Sequence, residues 1–231
     1  EYVVSDIRDA VKYALENATI DHNRIYLIGA SGGGHAALLM AGREPDIWAA
    51  VSAWCPIHDI QQWWHEKNLE NNAYANQIEA ACGGIPDTSD AVNREYRVRS
   101  PSHWLKPERT VPVQIATGLY DGRTGSVPFT HSLFAFNSLA IPGTGMTNEQ
   151  IMQFYQTLSA SHLGYDPWFD PLFARTVYYR AVSGRVEVTI FHGSHEILHQ
   201  AGLTWLSNQV KGKPVTWSNN LESSCTSNVT R

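Results

Sequence analysis

A serine stands at the centre of a glycine-rich segment. Residues 29–33 read Gly-Ala-Ser-Gly-Gly, which matches the G-x-S-x-G pattern of a nucleophilic serine, with Ser31 in the middle. The small neighbours allow a strand and a helix to approach closely enough to hold that serine in a strained turn. Its hydroxyl needs a base to remove the proton, so a histidine and a carboxylate are expected later in the chain. A glycine-rich turn that binds a phosphate, or nothing, is the alternative interpretation.

The acid and the base are expected after later strands, in the chain order serine, acid, histidine. Asp121 follows an apolar run at 111–117, and His195 follows another at 186–191. Because the carboxyl ends of parallel strands meet at one edge of a sheet, Ser31 and these two side chains are predicted to converge there.

Each of the two assignments has a rival. His192 stands at the strand end itself, whereas His195 follows a short loop of small residues that allows it to reach Ser31, so His195 is the preferred base. Asp59 also follows a predicted strand. It is interpreted as a carboxylate that caps its own loop, which leaves Asp121 as the preferred acid.

Residues 195–199 also match H-E-x-x-H, the zinc signature in which two histidines one helical turn apart hold the metal. Glu222 downstream is a conceivable third ligand. A simpler interpretation makes His195 the base at a helix start, Glu196 a carboxylate near the positive helix end, and His199 an ordinary helical residue. We therefore expect neither a metal nor a cofactor.

Apolar runs that alternate with helical patterns predict an α/β fold with a mostly parallel sheet flanked by helices. The last run alternates Val186, Val188 and Ile190 with Glu187 and Thr189, which predicts an edge strand with one wetter face. The predicted strands cover about residues 24–28, 48–54, 111–117 and 186–191, and the predicted helices about 4–15, 35–41, 127–139 and 196–210.

Two long segments interrupt this alternation, at about 57–105 and 141–184. Connections in α/β folds are usually short, so these segments are expected to be insertions that cap the sheet or shape a cleft. They carry aromatic residues such as Trp63, Trp64 and Trp168. Burial in the core of a small cap is the favoured interpretation, and stacking on sugar rings is the alternative.

Composition narrows the possible partners. The net charge is −5 and the 17 lysines and arginines are scattered, so nucleic acid is not an expected partner. No apolar run approaches the roughly 18 residues that a membrane-spanning helix needs, so no membrane span is expected. The three cysteines, Cys55, Cys82 and Cys225, have no metal-type spacing and allow at most one internal disulfide.

These motifs together resemble the α/β-hydrolase superfamily, and within it the catalytic domain of the prolyl-oligopeptidase-like branch and its esterase relatives. The resemblance extends over residues 1 to about 210 apart from the two insertions. It implies Ser31 as nucleophile, Asp121 as acid and His195 as base, with the N–H of Gly32 helping to hold the oxyanion. Peptidases of this branch often have a Ser-Tyr-Gly-Gly core. Here the core is Ser-Gly-Gly-Gly, which favours an esterase. The matching segments are 25–35, 118–121, 126–128 and 191–196.

The resemblance also implies that part of the fold is missing. Such a sheet has about eight strands and its nucleophile turn follows the fifth, whereas only one helix precedes that turn here. We therefore expect residues 1–231 to be the C-terminal part of a longer α/β-hydrolase domain, with its N-terminal portion cleaved or supplied by another chain. Residues 24–29 should then form an exposed edge strand. The second oxyanion donor, from a loop after the third strand, has no counterpart.

The sequence therefore predicts a serine hydrolase that cleaves carboxylic esters through an acyl-enzyme. A carbohydrate ester or another small-molecule ester is the expected substrate. A serine peptidase that cleaves peptides with the same residues is the close alternative. The alternative of a different class is a catalytically inactive hydrolase fold that binds a ligand or partner.

Overall fold

Residues 2–109 and 111–221 are described by the computed structural model of this chain. Its strands are β1 (Tyr26–Ala30), β2 (Ala50–Trp54), β3 (Val113–Gly118), β4 (Trp168–Asp170), β5 (Arg175–Ser183) and β6 (Val186–Phe191). They form a six-stranded sheet in the order β1-β2-β3-β6-β5-β4. The first four strands of this order are parallel, whereas β5 and β4 are antiparallel to their neighbours. The predicted α/β fold with a mostly parallel sheet is confirmed.

Helices cover both faces of the sheet. They are α1 (Tyr2–Asn17), α2 (Gly32–Arg43), α3 (Ile60–Leu69), α4 (Ala73–Cys82), α5 (Asp90–Arg99), α6 (Thr130–Leu139), α7 (Asn148–Thr157) and α8 (His199–Ser207). Alternate residues of β2 point to opposite faces: Val51 and Ala53 belong to the core under α2 and α6, whereas Ala50 and Trp54 belong to the core under α8. Among the described helices, none is both long and apolar enough to cross a membrane.

The predicted edge position of β6 is wrong. This strand lies between β3 and β5, and all six of its residues are buried. The polar residues of its alternating pattern have buried partners instead of water. Glu187 accepts hydrogen bonds from the backbone N–H and the hydroxyl of Ser218, and Thr189 Oγ1 accepts one from Arg180 Nε. Hydrogen-bonded polar groups can thus occupy a central strand.

Segment 57–105, predicted to be an insertion and called the first insertion below, carries α3, α4 and α5 on a small core of its own. Trp63 and Trp64 lie in that core, which confirms the favoured interpretation for these two aromatics. For Trp168 it is wrong, because this residue lies in β4 of the sheet and is partly exposed. The second insertion, 141–184, is only partly a cap, because after α7 it adds β4 and β5 to the sheet.

Strand β1 lies at the opposite edge of the sheet from β4. Within the described ranges it pairs only with β2, and all five of its residues are partly exposed. The exposed edge predicted for residues 24–29 is therefore present. The Ser31 turn follows this strand directly.

Candidate active site

Ser31 occupies a sharp turn between β1 and α2. Its backbone has φ 57° and ψ −121°, a conformation that non-glycine residues rarely adopt. Its N–H donates to Trp54 O at 2.9 Å, and its carbonyl accepts from His35 N at 2.9 Å. The Oγ atom makes no hydrogen bond to any residue that the structure describes. The turn thus holds an uncommitted hydroxyl at the carboxyl end of β1, in the kind of strained backbone that often marks a functional site.

Two glycines make this turn possible by letting backbones approach. A Cβ atom on Gly29 would lie 2.2 Å from Gly33 O, and one on Gly34 would lie 2.5 Å from Trp54 O. Both distances are too short for any side chain. By contrast, Cβ atoms on Gly32 and Gly33 would meet no atom within 4 Å. The close contacts of Gly29 and Gly34 explain why the segment around Ser31 is glycine-rich.

Asp121 lies just beyond β3 and is fully buried. Its Oδ1 accepts hydrogen bonds from Gly122 N at 3.0 Å and from Val127 N at 3.1 Å. Its Oδ2 lies 2.8 Å from Nδ1 of His195 and 3.4 Å from Thr117 Oγ1. These donors satisfy the buried carboxylate and fix its direction toward the histidine.

His195 lies in the loop between β6 and α8, with 24% of its side chain exposed. The contact with Asp121 assigns the proton to Nδ1 and leaves Nε2 as an acceptor. That Nε2 lies 3.4 Å from Ser126 Oγ. The structure therefore brings the predicted acid and base together. No hydrogen bond joins Ser31 to either of them in the part of the chain that is described.

The end of β2 connects the Ser31 turn to the His195 loop. Trp54 O accepts the Ser31 N–H, and the next residue, Cys55, donates its thiol to Glu196 O at 3.4 Å. Cys55 is buried and has a left-handed backbone with φ 46°. Burial, followed by the nearby charge of Asp121, raises the pKa of its thiol to about 12. Sequence reasoning missed this residue, although its place directly after a strand puts it at the edge where the site lies.

The two rival residues have other partners. Asp59 caps α3, since its Oδ1 accepts from Gln62 N at 2.9 Å and its Oδ2 from Ser102 Oγ at 2.7 Å. It therefore caps the helix that follows its loop, and not the loop itself. His192 Nδ1 lies 3.1 Å from the hydroxyl of Tyr178.

The H-E-x-x-H segment does not have the geometry of a zinc helix. Helix α8 begins at His199, so residues 195–198 lie in a loop and the two histidines lack helical spacing. Glu196, which we expected at the positive end of a helix, instead accepts from Ser194 N at 3.2 Å within that loop. Glu222, the conceivable third ligand, lies outside the described residues.

Two of the three cysteines lie within the described residues. Cys55 and Cys82 are both buried and both free. Cys225 lies outside the described residues.

Three further histidines lie near the turn: His58 and His131 are buried, and His35 is partly exposed. Burial lowers the pKa of His35 to about 4, and its Nδ1 donates to Ile57 O at 3.1 Å. Burial, followed by the charge of His131, lowers the pKa of His58 to about 3. Nδ1 of His131 accepts the backbone N–H of His58 at 3.1 Å, and its Nε2 lies 3.1 Å from Oε2 of Glu66. These side chains tie α6 to the first insertion.

A cavity of about 730 Å³ opens beside the Ser31 turn. It lies between α1, α2 and the helices of the first insertion, and most of its lining is apolar. Its wall includes Gly32, His35, Leu39, Trp63, Ile78 and Trp104. A cavity of this size accommodates a large side chain or a small ligand.

Comparison with known proteins gives one family and a set of similar folds. The model of the prolyl oligopeptidase family matches residues 1–179. A search of curated proteins finds no match.

Two of the similar solved structures are peptidases. A puromycin-hydrolyzing peptidase from Mycobacterium tuberculosis has a TM-score of 0.54 at 16% identity, and the match covers 93% of this chain and 26% of that one. Pyrococcus horikoshii acylaminoacyl peptidase has a TM-score of 0.54 at 13% identity, with coverage of 95% and 30%. At such identity the similarity concerns the fold, and this chain spans less than a third of either protein.

Proposed function

This chain belongs to the prolyl oligopeptidase family, and from that membership we propose that it carries the catalytic residues of a serine peptidase. Ser31 is the nucleophile, His195 the general base and Asp121 the carboxylate that orients the base. The observation that carries this proposal is the 2.8 Å contact between Asp121 Oδ2 and His195 Nδ1, at the sheet edge where the Ser31 turn lies. Acyl transfer requires three groups: a buried carboxylate, a partly exposed imidazole and a hydroxyl that is not held in another hydrogen bond.

The chemistry follows from this arrangement. Asp121 accepts the Nδ1 proton of His195 and keeps Nε2 free of a proton. Nε2 takes the proton of Ser31 as Oγ attacks the substrate carbonyl carbon, and then gives it to the leaving amine. The acyl-enzyme that remains is hydrolysed by water in the reverse sequence. For this transfer, the His195 ring must give up or share its contact with Ser126.

The oxyanion of the tetrahedral intermediate needs donors beside Ser31. Gly32 is the first residue of α2, where a helix leaves its N–H groups without intrahelical partners and carries positive partial charge. The N–H of Gly32 is therefore assigned as one oxyanion donor. The open space around Gly32 leaves room for a substrate to approach.

A peptide is the substrate that we propose, with an apolar side chain of that peptide in the cavity beside Gly32 and Trp63. Family membership and the two peptidase folds support a peptide over the ester predicted from the sequence. The ester prediction is not confirmed. The prediction of a carbohydrate ester depended on exposed aromatic side chains that could stack on sugar rings. Trp63 and Trp64 are instead buried in the core of the first insertion.

Labelling with a fluorophosphonate probe tests the catalytic assignment. The protein should be labelled at Ser31, and the Ser31→Ala variant should not. Absence of labelling in the unmodified protein would favour the inactive, ligand-binding alternative. Peptide 4-nitroanilides and short acyl nitrophenyl esters then separate the two hydrolase classes. A peptidase should cleave both, whereas cleavage of the ester alone would restore the esterase prediction.

A further inference from the structure

We propose that Cys55, Asp121 and His195 form a binding site for Zn²⁺, and that the bound ion inhibits the enzyme. The sulfur, one carboxylate oxygen and one ring nitrogen of these three residues all lie within 4.8 Å of one another. The inhibitory effect rests on the proposed function, whereas binding of the ion does not. Nothing in the spacing of these residues along the chain indicates the site, since it is assembled from the ends of three strands.

The side chains are held in position by other contacts. Thr117 Oγ1 lies 3.6 Å from the Cys55 sulfur, which in turn lies 3.4 Å from Glu196 O. Asp121 is fixed by its two backbone donors, and its Oδ2 faces Nδ1 of His195 at 2.8 Å. Cys55 and Asp121 are buried, whereas His195 is partly exposed and gives access from solvent.

The distances are compatible with a tetrahedral ion. Zinc bonds are about 2.3 Å to sulfur and about 2.0–2.2 Å to nitrogen or oxygen, which places ligand atoms about 3.3–3.6 Å apart. The nitrogen and the oxygen must therefore separate by about 0.5–0.8 Å from their 2.8 Å contact, and the sulfur, which lies within 4.8 Å of both, must close by up to about 1.2 Å. A thiolate, an imidazole and a carboxylate with water in the fourth position form a donor set that suits Zn²⁺.

Binding would change the protonation of the histidine. The Cys55 thiol loses its proton to solvent as the Zn–S bond forms. Zn²⁺ takes the Nδ1 position of His195, so the proton on Nδ1 moves to Nε2 and the ring stays neutral. Nε2 then has no lone pair with which to accept the proton of Ser31, and Asp121 no longer orients the ring. The ion thus inhibits by fixing the wrong tautomer.

Cobalt titration of the Ser31→Ala variant tests the site without needing activity. Co²⁺ replaces Zn²⁺ in such sites and gives a sulfur-to-metal absorption band when a thiolate binds it. We expect one equivalent of Co²⁺ to produce this band, and Zn²⁺ to abolish it. Adding Cys55→Ser or Cys55→Ala should remove the band. Cys82→Ser and Cys225→Ser are matched controls that should retain it. Circular dichroism verifies that each variant is folded.

Inhibition of the active protein is the second measurement. The Zn²⁺ concentration that halves the rate should be at least about tenfold higher in Cys55→Ser than in Cys82→Ser, each compared with its own rate without metal. A band that persists in folded Cys55 variants, or no band in the parent, would overturn the metal site. If the protein hydrolyses nothing, the proposed function fails, while the cobalt result still decides whether the ion binds.

Discussion

The hydroxyl of Ser126 lies 3.4 Å from Nε2 of His195, on the side of the ring opposite to Asp121. Ser126 thus contacts the imidazole for which Ser31 is the proposed proton donor. Of the two serines, only Ser31 has a left-handed backbone and a place directly before a helix, the features expected of a nucleophile in this kind of turn. We accordingly propose that Ser126 is a resting partner of His195.

Substitution of the two serines separates their roles. Ser31→Ala should lower kcat by at least about 10⁴-fold, because the nucleophile is lost. Ser126→Ala should change kcat by less than about tenfold, since only a neutral hydrogen bond to the base disappears. Steady-state rates and fluorophosphonate labelling measure both effects. If labelling persists in Ser31→Ala and is lost in Ser126→Ala, the nucleophile is Ser126 and not Ser31.

Replacement of Asp121 by asparagine should remove the base function of His195 while a side chain of similar size still fills the position of Asp121. Asparagine presents an amide to Nδ1 or loses the contact, so the useful tautomer is no longer enforced, and kcat should fall by about 10⁴-fold. Asp59→Asn is the matched control, because asparagine caps a helix about as well as aspartate and the activity should persist. Equal loss of activity in both variants would contradict the assignment of Asp121.

Two neighbouring glycines offer a test of the turn itself. Gly29→Ala places a Cβ 2.2 Å from Gly33 O, so the strand and the helix must separate. We expect a loss of about 1–3 kcal/mol of stability and a lower kcat. Gly33→Ala meets no atom within 4 Å and replaces a poor helix former, so its stability should be unchanged or rise by up to about 1 kcal/mol. Urea unfolding and steady-state rates compare the two variants, and similar behaviour would refute a close backbone approach at Gly29.

Local patterns were sufficient for the elements that carry the site. Continuous apolar runs predict β2 and β3, because a strand buried on both faces has no polar side to display. The run at β1 also predicts a strand, although that strand is partly exposed at the sheet edge. Their carboxyl ends then place Ser31 and Asp121 at one edge, and the loop after β6 adds His195. The Asp121–His195 contact follows from that order of strands.

Other features depend on residues that are distant in the chain. The edge position predicted for β6 was wrong because Glu187 and Thr189 find buried partners in Ser218 and Arg180, which no local pattern reveals. The contact of Ser126 with His195 joins residues 69 positions apart. The spacing of Cys55 along the chain did not indicate a metal site, because its neighbours in space, Asp121 and His195, come from two other loops.

Acid should destabilise the protein before its carboxylates are protonated. His35 and His58 have pKa values of about 4 and about 3 in the folded protein, against 6.5 as the ordinary value, because burial disfavours their charged forms. Below pH 6.5 the unfolded chain binds protons that the folded one does not. The stability that they contribute is therefore complete above pH 6.5 and declines as pH falls toward 4.

Urea unfolding at pH 7.5 and at pH 5.5 measures this decline. Each histidine should cost about 1 kcal/mol over that interval, since one pH unit below the unfolded pKa corresponds to about 1.4 kcal/mol. His58→Gln cannot titrate and should reduce the difference between the two pH values. His22→Gln is the control, because His22 is exposed and its removal should leave that difference unchanged. Equal stability at both pH values in the unmodified protein would show that these histidines are not kept neutral by burial.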